Sequence, residues 1–419
     1  MKLRLLKFCV LVCVVALFIA PVALSRAAAY QPAQDAPAAP APDAPAGLDG
    51  LTNGFTDQAT FDQDKAAFLA QETPADGIGP VFNSTSCGEC HSNPAVGGGS
   101  QILEIRAGFR DSLGNFVDPP GGSLINDRAL DPSIQETVPE NADFTTSRLS
   151  LSLLGDGFIE AVPDSTIIQI ARNQSAATGG AIAGQVIRVP VLEAPGVTRV
   201  ARFGWKNQHA SLLSFSGDAY VNEMGITTPL FPLENTSLGR SVRAFDQVNP
   251  DSPDEPDNDD IEAFTRFIRS TKTPPRDTAL AQTVVARRGE TLFNQIGCAL
   301  CHTPSMVTAP PGTSLNGGMF IVDAALGNKT IRPYSDLLLH NIGTGDGIVQ
   351  EGGPSTQFKV RTPPLWGVRT RTRLMHDGRS GTLANAISRH AGEASTVANR
   401  FSALSQSDRN AIITFLKSL

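Results

Sequence analysis

The sequence predicts a mainly α-helical protein of two like units, the first enlarged by loops and a β-hairpin. Three observations predict it. The pentapeptide C-x-x-C-H occurs twice, as Cys87-Gly-Glu-Cys90-His91 and as Cys298-Ala-Leu-Cys301-His302. A stretch of helical spacing precedes each copy. An amphipathic helix closes each half, and the two closing segments are alike: Ala263-Phe-Thr-Arg-Phe-Ile-Arg-Ser against Ile413-Thr-Phe-Leu-Lys-Ser.

C-x-x-C-H is the attachment signature of a c-type haem. Two thiols at this spacing can add to the two vinyl groups of one porphyrin, and the histidine that follows is placed to ligate the iron. The chain has six cysteines, of which Cys9 and Cys13 fall in an N-terminal leader. The other four all belong to the two motifs, so no disulfide framework remains outside them. A thioredoxin-like C-x-x-C and a four-cysteine zinc site are the rival readings, but both leave His91 and His302 without a role. The expectation is therefore two cytochrome c-like domains with two covalently bound haems, in which the first and last helices of each unit cross at one haem edge.

Residues 1–29 read as a secretory signal. Lys2, Arg4 and Lys7 form a positive start, Phe8 to Ala20 is an apolar core too short for a comfortable membrane span, and Ala27 to Ala29 offers small residues for cleavage. A periplasmic or otherwise exported protein with no stable span follows. Residues 30–49, rich in Ala and Pro, read as an extended tether.

The N-terminal haem domain is expected over residues 50–277. Thr60 to Gln71 has helical spacing, with Phe61, Ala66, Phe68 and Leu69 as its buried set. Pro94 and Gly97 to Gly99 make a turn after the first motif. Residues 101–140 look loop-rich, with short strand candidates. Asp164–Arg172 is a short helix, and residues 187–203 form a hairpin about Pro195-Gly196. Asn207 to Tyr220 is helical. Asp260 to Thr271 is amphipathic, with Ile261, Phe264, Phe267 and Ile268 on one face, and Pro274-Pro275 stops it. The C-terminal haem domain is expected over 278–419. Leu280 to Ile296 leads into the second motif, and Ser407 caps the last helix.

The net charge is −7; residues 1–29 hold four of the 34 Lys and Arg and no Asp or Glu, which leaves 30 basic against 41 acidic residues. Such a chain does not suit nucleic acid or an anionic membrane. It suits a small redox protein donor with a basic face, a cytochrome or cupredoxin.

Several further stretches carry a resemblance: Gly79-Pro-Val-Phe-Asn-x-x-Ser-Cys, Phe203-Gly-Trp-Lys, Asn222-Glu-Met-Gly-Ile-Thr, Pro333-Tyr-Ser-Asp-Leu-Leu-Leu-His, Thr362-Pro-Pro-Leu-Trp-Gly and His376-Asp-Gly-Arg. Over nearly all of residues 50–419 the chain resembles the di-haem oxidoreductase, putative peroxidase family. That family is also labelled thiol oxidoreductase and is related to bacterial dihaem cytochrome c peroxidases. The resemblance implies that Met375 is the distal ligand of the C-terminal haem, with His376 as the near alternative. It makes Trp205 a candidate electron bridge and Glu223 a candidate acid/base in the distal pocket. His340 is expected to pack or to face a propionate, and His390, on a helix over Leu383–His390, to be a solvated or C-terminal helix residue. Arg361, Arg369 and Arg379 are candidate propionate partners. Some relatives carry calcium between their domains, and calcium is kept as a further cofactor expectation.

The implied activity moves electrons from a donor through the C-terminal haem to a reactive N-terminal haem, where a small oxidant such as peroxide is reduced. Two features depart from the peroxidases. No histidine occurs between His91 and His209, and the region Leu212-Leu-Ser-Phe215 lacks their glutamine. These departures favour the alternative, a non-catalytic dihaem electron carrier or redox-complex subunit. A thiol oxidase ranks last, because no free cysteine remains.

Overall fold

Two helix pairs built on one plan frame the motifs in the computed structural model, which describes residues 40–249 and 252–419. The first pair is Gln58–Leu69 against Asp259–Ser270, and the second is Val284–Ile296 against Gln406–Leu416. In the first, Phe68 lies 4.9 Å from Phe267 and 6.3 Å from His91, ring centre to ring centre. In the second, Phe293 lies 5.2 Å from Phe415 and 6.2 Å from His302. The aromatic residue of each leading helix thus touches both its closing helix and its own motif histidine. Offset aromatic contacts of this kind add specificity to the apolar area they bury.

The crossings differ in closeness. At Gly289 an added Cβ would run into the Ala411 carbonyl, so only glycine permits that approach. One turn before Phe68 the chain has Asp64, buried and held by two bonds from Arg266, at 2.8 and 3.1 Å. Ala66 and Leu69, expected in the core, are exposed, because the buried stripe runs through Phe61, Asp64 and Phe68. The expected apolar face of Asp259–Ser270 is fully buried. The last helix begins at Gln406 and is capped by Ser405, which accepts from the Asp408 amide, rather than by Ser407.

The expected hairpin is present, with Arg188–Pro190 antiparallel to Thr198–Val200. The loop-rich region holds more order than its sequence suggests. Leu103–Arg110 pairs with Phe144–Leu149 over six residues, from Leu103↔Leu149 to Gly108↔Phe144, and also with Leu124–Ile125 and Phe116–Val117. The alternation of a strand puts Glu104 and Arg106 on one face, and cross-strand pairing adds Arg148 to it. Two-stranded pairings recur as far as Leu339–His340 with Val360–Arg361, so strand is spread along the chain rather than confined to one insertion. The mainly α description therefore holds only for the elements that flank the motifs.

Residues 41–419 form one compact unit. Its first core joins Phe61, Phe68, Phe264 and Phe267 to Met306, Phe320 and Trp366, and a second gathers Phe293, Tyr334, Phe401 and Phe415. The expected signal and residues 30–39 of the expected tether lie outside the described residues. The remainder of that tether is part of the fold. The Ala44 amide donates to Thr330 at 2.8 Å and Gly47 to Thr273 at 3.0 Å, with return bonds to Pro42 and Pro45. A proline-rich extended strand keeps its backbone groups free, and here two edge segments take them up. No helix among the described residues is long and apolar enough to cross a membrane.

Candidate functional site

At the N-terminal motif, Ser86 accepts from the Glu89 amide at 3.2 Å and starts a one-turn helix, Cys87–Cys90. The His91 amide closes it onto the Cys87 carbonyl at 2.9 Å. The His91 Nδ1 pairs with the Gly98 carbonyl at 2.9 Å. That places the proton on Nδ1, the tautomer a metal requires, while the Leu151 carbonyl also approaches the ring. Burial lowers the His91 pKa and favours this neutral form. Burial pushes the Cys87 thiol up to about 12 and, with help from Glu223, the Cys90 thiol up to about 11.

The C-terminal motif repeats this arrangement. The leading helix ends at Gly297, with φ +104°, and the His302 amide reaches the Cys298 carbonyl at 3.0 Å. His302 Nδ1 pairs with the Tyr334 carbonyl at 3.0 Å. Burial, then the neighbouring His390, lowers the His302 pKa to about 4. Beside the motif lies a cavity of about 1620 Å³, part of it open to solvent. Cys298, Cys301, His302, Trp205, Met375 and His390 line it, as do Asn93 and Gly99 from the loop after the first motif.

Met375 sits at φ +67°, a conformation that non-glycine residues adopt rarely and chiefly where the surroundings impose it. The Leu374–Ser380 pairing at 2.9 Å holds this turn. Next to it, the buried His376 gives Nε2 to the Thr344 carbonyl, while its Nδ1 has no hydrogen-bond partner. The Trp205 ring stands edge-on to His376, 6.0 Å between centres.

Glu223 sits on a π-helical turn, Tyr220–Met224, a form that often marks functional positions. Its Oε2 accepts from Asn83 Nδ2 at 2.8 Å, and its backbone carbonyl accepts from the Asn83 and Ser84 amides. Its carboxyl lies within hydrogen-bond reach of Glu104, which accepts from Arg106 at 2.9 Å. Burial and the Glu104 carboxylate raise the Glu223 pKa to about 8. Burial also works against Glu104, but Arg106 and Arg148 outweigh it and keep Glu104 charged. From Arg148 the charges continue inward, to Asp346 at 2.7 Å and from Asp346 to Lys206 at 3.3 Å, beside Trp205.

The donor sets fit haem at both motifs. Each offers two thiols and an imidazole whose Nδ1 is already engaged, and the C-terminal cavity adds cationic side chains for the acidic edge of a porphyrin. The family model for di-haem oxidoreductase, putative peroxidase, matches residues 133–419. The chain belongs to that family. The match takes in the second motif, Trp205, Glu223 and Met375, and starts after the first motif. Two solved structures align with the di-haem oxidoreductase chain at 15% identity each. Hydrazine synthase of Kuenenia stuttgartiensis, pressurised with xenon, covers 90% of this chain and 95% of its own at a TM-score of 0.41. A MauG-like protein associated with microbial copper homeostasis covers 92% and 94% at a TM-score of 0.38. No curated protein matches the chain.

The remaining candidate residues divide between the cavity wall and other surroundings. Arg361 lines the cavity, and its Nε donates to the Gly204 carbonyl at 2.9 Å. Arg369 is spent on the carbonyls of Pro275 and Leu419, and Arg379 points outward with a 70% exposed side chain. Arg371 and Arg373 take their place in the cavity wall. His390 does follow the C-terminus of the helix Leu383–Ser388, but it lines the cavity instead of facing water, its ring 6.4 Å from that of His302. His209 pairs with Asp218 at 3.2 Å. His340 is clamped between Asp336 and Glu393, both at 2.9 Å, and stands 4.0 Å from the Cys301 sulfur. Among the described residues, Cys301, Asp336 and His340 are a group able to hold an ion. Their sulfur, nitrogen and single carboxylate do not resemble the six to eight oxygens that calcium takes.

Proposed function

We propose that this family member is an exported dihaem c-type cytochrome oxidoreductase of peroxidase-like type. Its C-terminal haem domain, residues 278–419, takes electrons from a small donor protein, and its N-terminal haem domain, residues 50–277, reduces a small oxidant such as peroxide. The observation that carries this reading is the difference between the two sites. The C-terminal cavity has Met375 and His390 in its wall to complete the coordination of an iron. Beside the N-terminal motif stands Glu223, a carboxyl that keeps its proton at neutral pH.

A haem bound at each motif would supply the one-electron chemistry. The chain's own part is binding, orientation and proton supply. Cys87, Cys90, Cys298 and Cys301 would hold the porphyrins, and His91 and His302 would ligate the irons. Arg361 and Arg371, both in the cavity wall, would face the acidic groups at the porphyrin edge. Glu223 holds a proton on a carboxyl oxygen and delivers it to the departing oxygen of the oxidant, a step worth ~10²–10⁴ in rate when the donor is positioned. Arg106 keeps Glu104 ionised, and Glu104 in turn keeps Glu223 protonated. Trp205 lines the C-terminal cavity together with Asn93, Gly99 and Ser100 from the loop after the first motif, and its ring is the proposed bridge between the two sites.

Electron paramagnetic resonance of the oxidised, haem-loaded protein tests this. One high-spin and one low-spin iron are expected. Two low-spin irons that persist on reduction would favour the electron-carrier alternative.

A further inference from the structure

Two side chains in the C-terminal cavity could complete the coordination of an iron held by His302: Met375 and His390. For His390 the structure supplies a length. Its ring centre is 6.4 Å from that of His302, with the planes tilted by 59°. An imidazole nitrogen binds a transition metal at ~2 Å and lies about 1.2 Å from its own ring centre, so two imidazoles in line on one metal have centres roughly 6.4 Å apart. Rotation of either ring about that line leaves the spacing unchanged, so the tilt is no obstacle.

The hydrogen bonds point the same way. His390 Nδ1 pairs with the Ala386 carbonyl at 2.8 Å, as His302 Nδ1 pairs with Tyr334 at 3.0 Å. Both rings therefore carry the proton on Nδ1 and offer Nε2 as a lone pair. The bond to Ala386, one turn back on the helix Leu383–Ser388, also fixes the direction of the ring. Met375, with its left-handed backbone, belongs to the turn that carries His376 beside Trp205.

We infer that His390, rather than Met375, is the second axial ligand of the haem bound at Cys298 and Cys301. This rests on the proposed reading that the second motif carries a haem. Two imidazoles give a lower reduction potential than an imidazole with a thioether. The C-terminal site then becomes a stronger reductant toward the N-terminal one, which deepens the assigned direction of electron flow.

The test uses the full haem-loaded chain and its His390→Gln, His390→Met and Met375→Leu variants. The mass of the peptide holding Cys298 and Cys301 is measured first; if it carries no haem, the reading of the site fails and this inference with it. With haem present, the oxidised wild type should lack the thioether-to-iron charge-transfer absorption. His390→Gln should add a high-spin signal. His390→Met, the safeguard against a misfolded glutamine variant, should create the thioether band and raise the potential. Met375→Leu should change none of these. A thioether band in the wild type that vanishes in Met375→Leu, with His390→Gln spectrally silent, overturns the inference and leaves the reading of the site intact.

Discussion

The Trp205 indole N–H donates to the Leu149 carbonyl at 2.7 Å. Leu149 ends the strand that pairs with Leu103–Arg110, and its own amide bonds to the His376 carbonyl at 2.8 Å. One indole thus ties the sheet that carries Glu104 and Arg106 to the loop that carries Met375. Trp205→Phe keeps most of the shape and strands that carbonyl. Denaturant titration should register a loss of about 1–3 kcal/mol. Flash reduction should register slower electron equilibration between the two irons. Unchanged equilibration would remove Trp205 from the electron path.

Glu223 is the carboxyl whose protonation matters. Burial and Glu104 hold its pKa near 8, so the proton is present below that pH and lost above it. Peroxide reduction by the wild type should fall as pH rises through about 8. Glu223→Gln should lower the rate by ~10²–10⁴ and abolish that alkaline limb. Glu104→Gln removes a like charge and frees Arg106, so the limb should move to lower pH. A pH–rate profile identical in all three proteins would contradict the assignment.

His340 makes a prediction about stability. Burial disfavours its charge, but Asp336 and Glu393 outweigh burial and raise its pKa to about 12 from the ordinary 6.5. The folded value lies above the unfolded one. Its stabilisation is therefore complete below pH 6.5 and is lost progressively as pH rises through about 12. His340→Leu leaves the buried Asp336 unpaired and should cost about 3–5 kcal/mol near neutral pH. The gap between wild type and variant, followed by chemical denaturation, should narrow steadily toward alkaline pH.

Gly289 tests the helix crossing. Alanine there meets the Ala411 carbonyl, and the overpacking should cost about 1–3 kcal/mol with some loss of haem order at the C-terminal site. Gly381 has nothing within 4 Å of an added Cβ, so Gly381→Ala is the matched control and should be close to neutral in the same denaturation series.

The parts legible in the sequence are those with short-range grammar. The motifs, the apolar face Ile261–Ile268 and the Pro195-Gly196 hairpin all follow from spacing within a dozen residues. The sheet on Leu103–Arg110 does not, because its main partner begins at Phe144 and such a pairing leaves no periodic mark. Nothing in the local sequence marks Glu104 and Arg106 as neighbours of Glu223; the folded sheet places them there. Arg371 and Arg373 line the cavity, whereas Arg369 is held by the Pro275 and Leu419 carbonyls and Arg379 faces outward, a division that sequence spacing does not mark. The place of His390 just past a helix C-terminus is legible in the sequence, but its turn toward the cavity, with Nδ1 on the Ala386 carbonyl, is not.

The central claim is that electrons delivered to this chain reduce a small oxidant at the His91 site. The most direct measurement is hydrogen peroxide consumption by the haem-loaded protein with a reduced small cytochrome as donor. The account predicts catalysed oxidation of the donor that collapses in Glu223→Gln. No donor oxidation by wild type, with both irons six-coordinate in either redox state, would contradict it.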